Sequence, residues 1–405
     1  MTKRSSAPRG LWGQALLLSL GAAVSLGVTR FAYGLLLPPM REALDWTYTL
    51  AGAMNTANAA GYLLGALITP WLLRHRSASQ VLRLGMVLAA VFMALSGFVT
   101  DARALMVQRL LAGVASALVF VTGGLLAAGL AQQRPHQGGW LIGLYYGGTG
   151  WGIVVSALLV PAVMVSPQAW PYAWWALAGA CALATAVMWG AVSRLGPASG
   201  AVGVATPDSP LRFRVSQWVF GLLGYGCFGI GYIGYMTFVI ALLREQGVSP
   251  SMITGFYTAL GLAVVASARL WAPLLDHFKG GQALALLNAL LAAATLIPAF
   301  SSPPWALGLS GLLFGAVFLS VVASTTVMVR HNLPAAEWAR GISAFTIVFA
   351  LGQIIGPTLV GWVADGPGGL ARGLACSAAV LVLGAVLGWQ QRPLIHVPAR
   401  KQGVD

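Results

Sequence analysis

Charged residues are scarce in this sequence of 405 residues: Asp, Glu, Lys and Arg together make up 8% of it, and only nine residues are acidic. A soluble domain needs far more charge to cover its surface, so this shortage excludes an ordinary soluble protein. Hydrophobic residues account for 58% of the chain, and the mean hydropathy is +0.80. The composition therefore indicates that lipid is the main solvent of the folded chain.

Residues that bind metals or cross-link secreted domains are also few. The three cysteines, Cys181, Cys227 and Cys376, fall in three different apolar runs and show neither a disulfide framework nor a metal-ligand spacing. The five histidines lie between the runs or after the last one, and no nucleophile stands beside a base. We therefore expect no metal, no cofactor and no enzymatic activity.

Long hydrophobic runs occupy most of the chain. A helix that spans a membrane needs roughly 20 apolar residues. Twelve runs of this kind can be placed, at about 11–39, 47–73, 81–99, 104–130, 140–165, 171–192, 218–243, 252–275, 281–300, 305–329, 341–363 and 369–389. The predicted fold class is therefore an all-α membrane protein with twelve transmembrane helices.

One connection differs from the short polar segments between the other runs. The segment 193–217 is rich in Gly, Pro and Ser, which is typical of a linker. It divides the chain into an N-terminal six-helix bundle at 1–192, the linker itself, a C-terminal six-helix bundle at 218–392 and a tail at 393–405. We expect the linker and the tail to be cytoplasmic.

Basic residues are distributed unequally between the two sides of the predicted membrane. Sixteen Lys and Arg residues fall on the side of the N-terminus, and four fall on the other side, at Arg41, Arg103, Arg244 and Arg372. Cytoplasmic loops carry an excess of Lys and Arg, so both termini are predicted to be cytoplasmic in a multi-pass protein of the bacterial inner membrane. The net charge of +14 is then a signal of topology and not of nucleic-acid binding.

The two halves of the sequence match each other when one is shifted by 202 residues without a gap. This shift aligns Arg30 with Tyr232 and Tyr33 with Tyr235, and it keeps one register from the first five runs onto runs seven to eleven. Two six-helix pseudo-repeats that enclose a site at the membrane midplane are the architecture of alternating-access transporters. Arg30 and Tyr232 are therefore expected to face one shared cavity.

Local segments resemble the major facilitator superfamily. The stretch 272–281 (APLLDHFKGG) resembles its signature after the eighth helix, in which an acid and basic residues hold the inner gate closed in one state. Asp276 is the matching acid. The corresponding stretch after the second run contains Arg74 and Arg76 but no acid, so the resemblance implies a weaker or different gate there.

The segments GVTRFAYGLLLPP at 27–39 and LGQIIGP at 351–357 resemble the YbfB/YjiJ-like bacterial branch of that superfamily. The resemblance covers nearly the whole chain. It implies the major facilitator fold and a secondary transporter in the lipid bilayer with a small-molecule substrate, but it identifies no substrate. We expect a monomer that binds no nucleic acid, and coupling to protons stays open.

No carboxylate falls in the core of a predicted span, whereas three arginines do. An arginine at a helix centre costs roughly 2.5–3.5 kcal/mol on insertion scales, so each needs compensation. Arg30 either binds a substrate anion through its planar fork of donors or is satisfied by helix carbonyls. Arg109 either serves the site or is a gate or packing residue paired with Asp101 or a carbonyl. Arg269 either reaches the substrate or extends to the interface.

Neutral polar residues extend the candidate set, although each could equally bridge two helices. The predicted substrate-binding residues are Arg30, Tyr33, Asn58, Arg109, Tyr232, Tyr235, Arg269 and Gln353, and the predicted gating residues are Asp276, Arg74 and Arg76. Proton-coupled carriers often titrate a buried acid. Since the predicted core contains none, coupling would need an acid at the rim or a proton carried by the substrate.

Arginines within an acid-free core favour the transport of a small organic anion by alternating access. A second hypothesis is proton-coupled efflux of amphiphilic or cationic compounds, which the aromatic-rich spans allow but the missing core acid opposes. A third hypothesis is a membrane sensor that retains the fold without transporting. The sequence has no long soluble domain to support this third hypothesis.

Overall fold

The structure is a computed structural model that describes residues 8–134, 137–192 and 212–394. Most of the predicted linker and the tail beyond 394 lie outside the described residues. The domain boundaries therefore stay a prediction. Within the described ranges the regular structure is helical throughout, and the twelve predicted spans are all present as long helices.

Twelve spans follow one another along the described chain. They are α1 (three consecutive segments, Pro8–Ala22, Ala23–Phe31 and Tyr33–Leu44), α2 (Tyr48–His75), α3 (Ala78–Ser96), α4 (Ala102–Gln132), α5 (Gly138–Val163), α6 (Trp170–Val192), α7 (Val219–Glu245), α8 (Pro250–Leu270), α9 (Gln282–Phe300), α10 (Pro304–Asn332), α11 (Ala335–Ala364) and α12 (Gly369–Gln390). A short helix, Ala272–His277, continues α8 after a break at Trp271.

Eleven of these helices, among the described residues, are long and apolar enough to cross a membrane. The helix α2 has sufficient length, with 28 residues, but it is less apolar because Asn55, Thr56 and Asn58 lie within it. Asn55 and Thr56 form hydrogen bonds to the other half of the molecule. The span with the weakest hydropathy is therefore one that supplies polar contacts inside the protein.

The helices form two bundles, α1–α6 and α7–α12, which meet along two seams. In one seam α2 packs against α11, and in the other α5 packs against α8. Within the bundles, α4 packs against α2 and α3, and α12 packs against α7 and α9. The space between the bundles is thus bordered by the two seams.

Glycines hold the crossing of α2 and α4 close together. A Cβ atom on Gly113 would overlap the carbonyl oxygen of Asn58, and one on Gly61 would overlap the carbonyl oxygen of Leu110. The side chain of Asn58 donates from Nδ2 to the carbonyl of Arg109 at 3.0 Å across the same crossing. Small residues let helices approach in lipid, and here the approach brings backbone into contact with backbone.

Replacing Gly113 by Ala is expected to lower the melting temperature of the purified protein. The added methyl group has to push α2 and α4 apart, and such overpacking typically costs about 1–3 kcal/mol. The matched control is Gly179→Ala in α6, where a Cβ would meet nothing within 4 Å. Equal melting temperatures for the two variants, measured in the same detergent, would contradict the described crossing.

Candidate functional site

The first helix changes its hydrogen-bonding pattern in the middle of the molecule, where Ala23–Phe31 form a π-helix. Segments of this kind within α-helices are frequent at functional sites. Side chains from two other helices bind its backbone. Arg109 of α4 donates from Nη1 to the carbonyl of Thr29 at 2.8 Å, and Tyr257 of α8 donates from its hydroxyl to the carbonyl of Phe31 at 2.8 Å. The segment is thereby held from both halves.

Arg30 lies between these two carbonyls in the sequence, and it is 2% exposed. Its Nη2 donates to Oε1 of Gln353 on α11 at 2.8 Å, and Nε2 of Gln353 donates to the hydroxyl of Tyr232 on α7. Among the described residues, Gln353 is the single hydrogen-bond acceptor for Arg30, and the buried Nε has none. The guanidinium carbon lies 5.5 Å from the centre of the Tyr62 ring. A buried positive charge is therefore left with unoccupied donors.

A cavity of about 950 Å³ lies beside these residues, between the two bundles. It runs from Arg30 and Gln353 to the last turn of α2 and the loop after it, where Arg74 and Arg76 line it. We call the end of the bundle that holds Arg74 and Arg76 the basic end. Three arginines line the cavity, and no acidic residue does so among the described residues. The charged residues of the described lining are thus all positive, with Arg30 at the inner end and Arg74 and Arg76 at the mouth.

Aromatic rings form two walls of this cavity. Phe228 and Tyr232 of α7 and Phe349 of α11 stack with ring centres 4.7–5.7 Å apart and planes 10–20° apart. We call these three residues the stacked wall. Across the cavity, the rings of Phe120 on α4 and Tyr146 on α5 lie 5.4 Å apart. The cavity therefore surrounds its buried cation with flat apolar surfaces.

The opposite end of the bundle is closed by contacts between the halves. Asp365, directly after α11, accepts hydrogen bonds from the backbone N–H groups of Tyr48 and Thr49 at 2.7 and 2.9 Å and from the Thr49 hydroxyl at 2.6 Å. The hydroxyl of Tyr48 donates to Glu245, and the guanidinium of Arg41 lies 4.0 Å from the Tyr48 ring centre. Free N–H groups and the dipole favour an anion at a helix N-terminus. An acid of one half thus caps a helix of the other, and we call this the sealed end.

A second layer of contacts lies between the sealed end and the cavity. Asn55 of α2 donates from Nδ2 to the hydroxyl of Thr237 on α7 at 2.7 Å. Thr56 donates to the carbonyl of Ile354 on α11 at 2.7 Å. Both bonds join the two halves in buried or half-buried positions. The cavity is therefore separated from the sealed end and extends towards the basic end alone.

The structure brings three of the predicted binding residues together: Arg30, Tyr232 and Gln353 all line the cavity. The expectation from the repeat that Arg30 and Tyr232 face one cavity is confirmed, since both line it and Gln353 links them through hydrogen bonds. Their role in binding a substrate stays a prediction.

Three other predicted residues lie behind the cavity and do not line it. The hydroxyl of Tyr33 donates to a carbonyl of α2 at 2.8 Å, and the hydroxyl of Tyr235 shares a hydrogen bond of 2.7 Å with Ser310. Asn58 is fully buried at the crossing of α2 and α4. Each of these side chains bridges helices in this state, which is the alternative that the sequence left open.

Arg109 is also buried and does not line the cavity. Of the two partners considered for it, a carbonyl is the one present, because it bonds to Thr29 while Asp101 accepts from the first turn of its own helix. The guanidinium carbon lies 4.9 Å from the ring centre of Tyr33 and 5.5 Å from that of Trp174. The geometry favours a packing role over contact with a substrate.

Arg269 lies apart from the other candidates. Its side chain is exposed, rests on the ring of Trp140 and does not line the cavity. This is the arrangement of an arginine that extends to the interface. Asp276 is exposed and forms no ion pair within the described ranges, whereas Arg74 and Arg76 line the cavity mouth. The gating roles of these three residues stay predictions.

The sequence interpretation missed most of the stacked wall. A signal was present, because Tyr225, Phe228 and Tyr232 follow one another at three and four residues and so share one face of α7. Phe349 precedes Gln353 by four residues on α11 and shares its face in the same way. On the other wall, no predicted site residue lies three or four positions from Phe120 on its helix. Its place in the cavity could therefore not be predicted from the sequence.

Comparisons with known proteins find relatives over almost the whole chain. Residues 22–388 match the family model described as uncharacterised MFS-type transporter YbfB. The inner membrane transport protein YdhP of Escherichia coli (strain K12) is 24% identical over 397 residues, which cover 96% of this chain and 96% of YdhP. The matched region contains every predicted binding and gating residue.

Solved structures share the fold at low sequence identity. The nucleoside transporter NupG gives a TM-score of 0.71 at 14% identity and covers 94% of this chain and 98% of its own. A bacterial homologue of the human lysosomal transporter Spinster, in an inward-facing and unoccupied conformation, gives 0.70 at 14% identity and covers 95% and 97%. Likeness at this level shows the fold alone, and it confirms the predicted major facilitator fold.

Replacing Asp365 by Ala is expected to open the sealed end, because the N-terminus of α2 loses its acceptor from the other half. A cysteine introduced at the buried position Ala51 should then react faster with a membrane-impermeant maleimide. The control is Asp101→Ala, which removes an acid that caps its own helix and should cost about 0.5–2 kcal/mol of stability without changing that reaction. Equal labelling of both variants would contradict the capping role of Asp365.

The sealed end is also expected to be insensitive to moderate acidification. Burial alone raises the pKa of Asp365, but hydrogen bonds from Thr49 and Tyr48 and the charge of Arg41 outweigh it and hold the pKa below its ordinary value of 3.8. An acid with a lowered pKa keeps its interactions above the ordinary value and loses them as the pH falls through the lowered one. Because only the thiolate reacts with a maleimide, the labelling rate of a cysteine at position 51 is divided at each pH by the rate of free cysteine. This ratio should stay constant between about pH 5 and about pH 8. A rise in the ratio as the pH falls within that range would contradict the assignment.

Proposed function

Because the chain belongs to the family of uncharacterised MFS-type transporters represented by YbfB, which are secondary transporters, we propose that it carries a small organic anion across the bacterial inner membrane by alternating access. The observation that carries the proposal is Arg30. It is a buried cation on the cavity wall whose one hydrogen-bond acceptor among the described residues is a neutral amide.

A buried charge is costly unless it is paired, and the protein supplies no carboxylate to pair with Arg30 in the described cavity. A substrate carboxylate would supply the missing negative charge. It would also accept from the Arg30 donors in the forked, charge-assisted geometry that guanidinium groups favour. Substrate binding would then relieve a cost that the empty protein carries.

The charge distribution supports an orientation in which the basic end faces the cytoplasm. In that orientation the cavity is open inward and the sealed end faces the periplasm. Arg74 and Arg76 at the mouth would attract anions towards Arg30, since a passage lined by one sign of charge concentrates the opposite ion. The inner-membrane location is supported by the relative YdhP, which is an inner membrane transport protein.

The competing proposal of cation efflux finds less support in this cavity. Aromatic rings can bind a cation, but the described lining has three arginines, which repel a cation, and no acid to offset them. The lack of an acid in the described lining also argues against direct proton exchange in the cavity, because that exchange would need a titrating carboxylate there. Coupling to a proton would then need an acid at the rim of the bundle, because a monocarboxylate that carries its own proton has no negative charge to offer Arg30.

Arg30→Gln is expected to weaken the binding of carboxylates by about ten- to a hundredfold, because a hydrogen bond to a charged group contributes about 1.5–3 kcal/mol. The measurement is calorimetric titration of the purified protein with acetate, succinate and benzoate, followed by uptake of the binding acid into proteoliposomes. The matched control is Arg269→Gln, which removes a transmembrane arginine outside the cavity and should leave both readouts near the wild type.

Two outcomes would contradict this proposal. One is carboxylate binding that survives in Arg30→Gln while the protein stays folded. The other is preferential binding of a cationic dye such as ethidium by the wild type, which would favour the efflux hypothesis. An equal loss in Arg269→Gln and Arg30→Gln would show that the effect does not arise in the cavity.

A further inference from the structure

The stacked wall carries an inference about the kind of anion. We propose that the substrate is a planar aromatic monocarboxylate whose ring lies against the stacked wall and whose carboxylate meets Arg30. This inference rests on the proposed transport of an anion and narrows it to one chemical class. Three features of the cavity support it: the ring geometry, the link between the wall and Arg30, and the distribution of charge.

The rings of the wall are arranged as a platform for another ring. Phe228 and Phe349 lie 5.3 Å apart with planes 10° from parallel, and Tyr232 continues the stack towards Phe318, at 6.0 Å and 9°. Aromatic pairs prefer offset stacking or edge contact with centres 4.5–7 Å apart. Phe349 is only half-buried and lines the cavity, so part of the platform stays accessible to a ligand.

The platform and the buried cation are joined at a fixed position. The ring of Tyr232 belongs to the stacked wall, and its hydroxyl accepts a hydrogen bond from Gln353. The other atom of the same amide accepts from Arg30. Two hydrogen bonds therefore connect the stacked rings to the guanidinium. A ligand in which the carboxylate is attached to a ring, directly or through one carbon, could contact both at once.

The opposite wall offers complementary surfaces for the second face and the edge of the ring. Tyr62 lies under the Arg30 guanidinium and near Phe120, with 6.4 Å between the two ring centres. The hydroxyls of Tyr62 and Tyr146 form no hydrogen bond with other described residues. They can accept or donate to a polar ring substituent. The cavity is thus lined on two sides for a flat ligand.

The charges of the cavity favour one carboxylate over two. Arg30 is the only charged residue at the inner end of the described cavity, and the other two arginines lie at its mouth. A second carboxylate held near the first would face apolar rings, and burying an unpaired charge there is costly. A neutral ring such as a nucleobase would fit the wall but would leave Arg30 without a counter-charge.

The test compares four ligands by calorimetric titration of the purified protein. Benzoate and 2-naphthoate have the ring and the charge, cyclohexanecarboxylate has the charge without the aromatic face, and benzamide has the ring without the charge. We expect benzoate to bind about three- to tenfold more tightly than cyclohexanecarboxylate, because ring contacts add to the burial of apolar area. We expect 2-naphthoate to bind at least as tightly as benzoate, and benzamide to bind most weakly.

Variants distinguish the contribution of the ligand's ring to binding from the contribution of its charge. Phe349→Leu should remove the preference for benzoate over cyclohexanecarboxylate while the affinity for cyclohexanecarboxylate changes little. The matched control is Phe345→Leu on the same helix, which replaces a buried phenylalanine that does not line the cavity and should keep the preference. Arg30→Gln should weaken both carboxylates together.

The outcomes distinguish this inference from the proposal on which it rests. Cyclohexanecarboxylate binding as tightly as benzoate would overturn the aromatic inference and leave anion transport standing. Benzamide binding as tightly as benzoate would overturn anion transport, because the charge would then contribute nothing. An absence of binding by all four ligands to folded wild-type protein would overturn the aromatic inference. Binding of succinate or acetate in the same preparation would show that anion transport survives.

Discussion

The charge of the Arg30 guanidinium, which is buried on the cavity wall, is the constraint on which the rest of this structure depends. The positive charge of Arg30 lies inside a low-dielectric bundle without a carboxylate beside it. The side-chain amide of Gln353 and the ring of Tyr62 partly compensate for this charge. These partners come from α11 and α2, so the cation can be held only when the halves are assembled. The π-helical turn of α1 places Arg30 in this position. The geometry of the site therefore depends on the assembly of the two halves.

The spans could be predicted from the sequence, because hydropathy is a property of the chain itself. The internal repeat likewise predicted that Arg30 and Tyr232 face one cavity. It could not separate Arg30 from Arg109. Both are arginines inside apolar runs, and only the folded packing shows that Arg109 reaches the carbonyl of Thr29 while Arg30 faces open space. Nor could it reveal that Asp365 caps α2, since that contact joins residues more than three hundred positions apart.

Glycine sets the distance between helices both within and between the halves. Inside the N-terminal bundle it brings backbone against backbone, as at Gly113. At the sealed end a Cβ on Gly361 would overlap the carbonyl oxygen of Tyr48, and Asp365 adds hydrogen bonds between the halves at the same place. The sealed end therefore combines close backbone packing with polar contacts, and both have to separate in a rocking motion of the two halves.

The hydrogen bond between Arg30 and Gln353 has a consequence beyond the site, because its two residues belong to different halves. Any motion that moves α1 away from α11 has to break this hydrogen bond, and the buried guanidinium then loses its one acceptor among the described residues. Under the proposed function, an anion bound to the free Arg30 donors would supply another acceptor. Separation of the two helices would then cost less free energy with the substrate bound than without it.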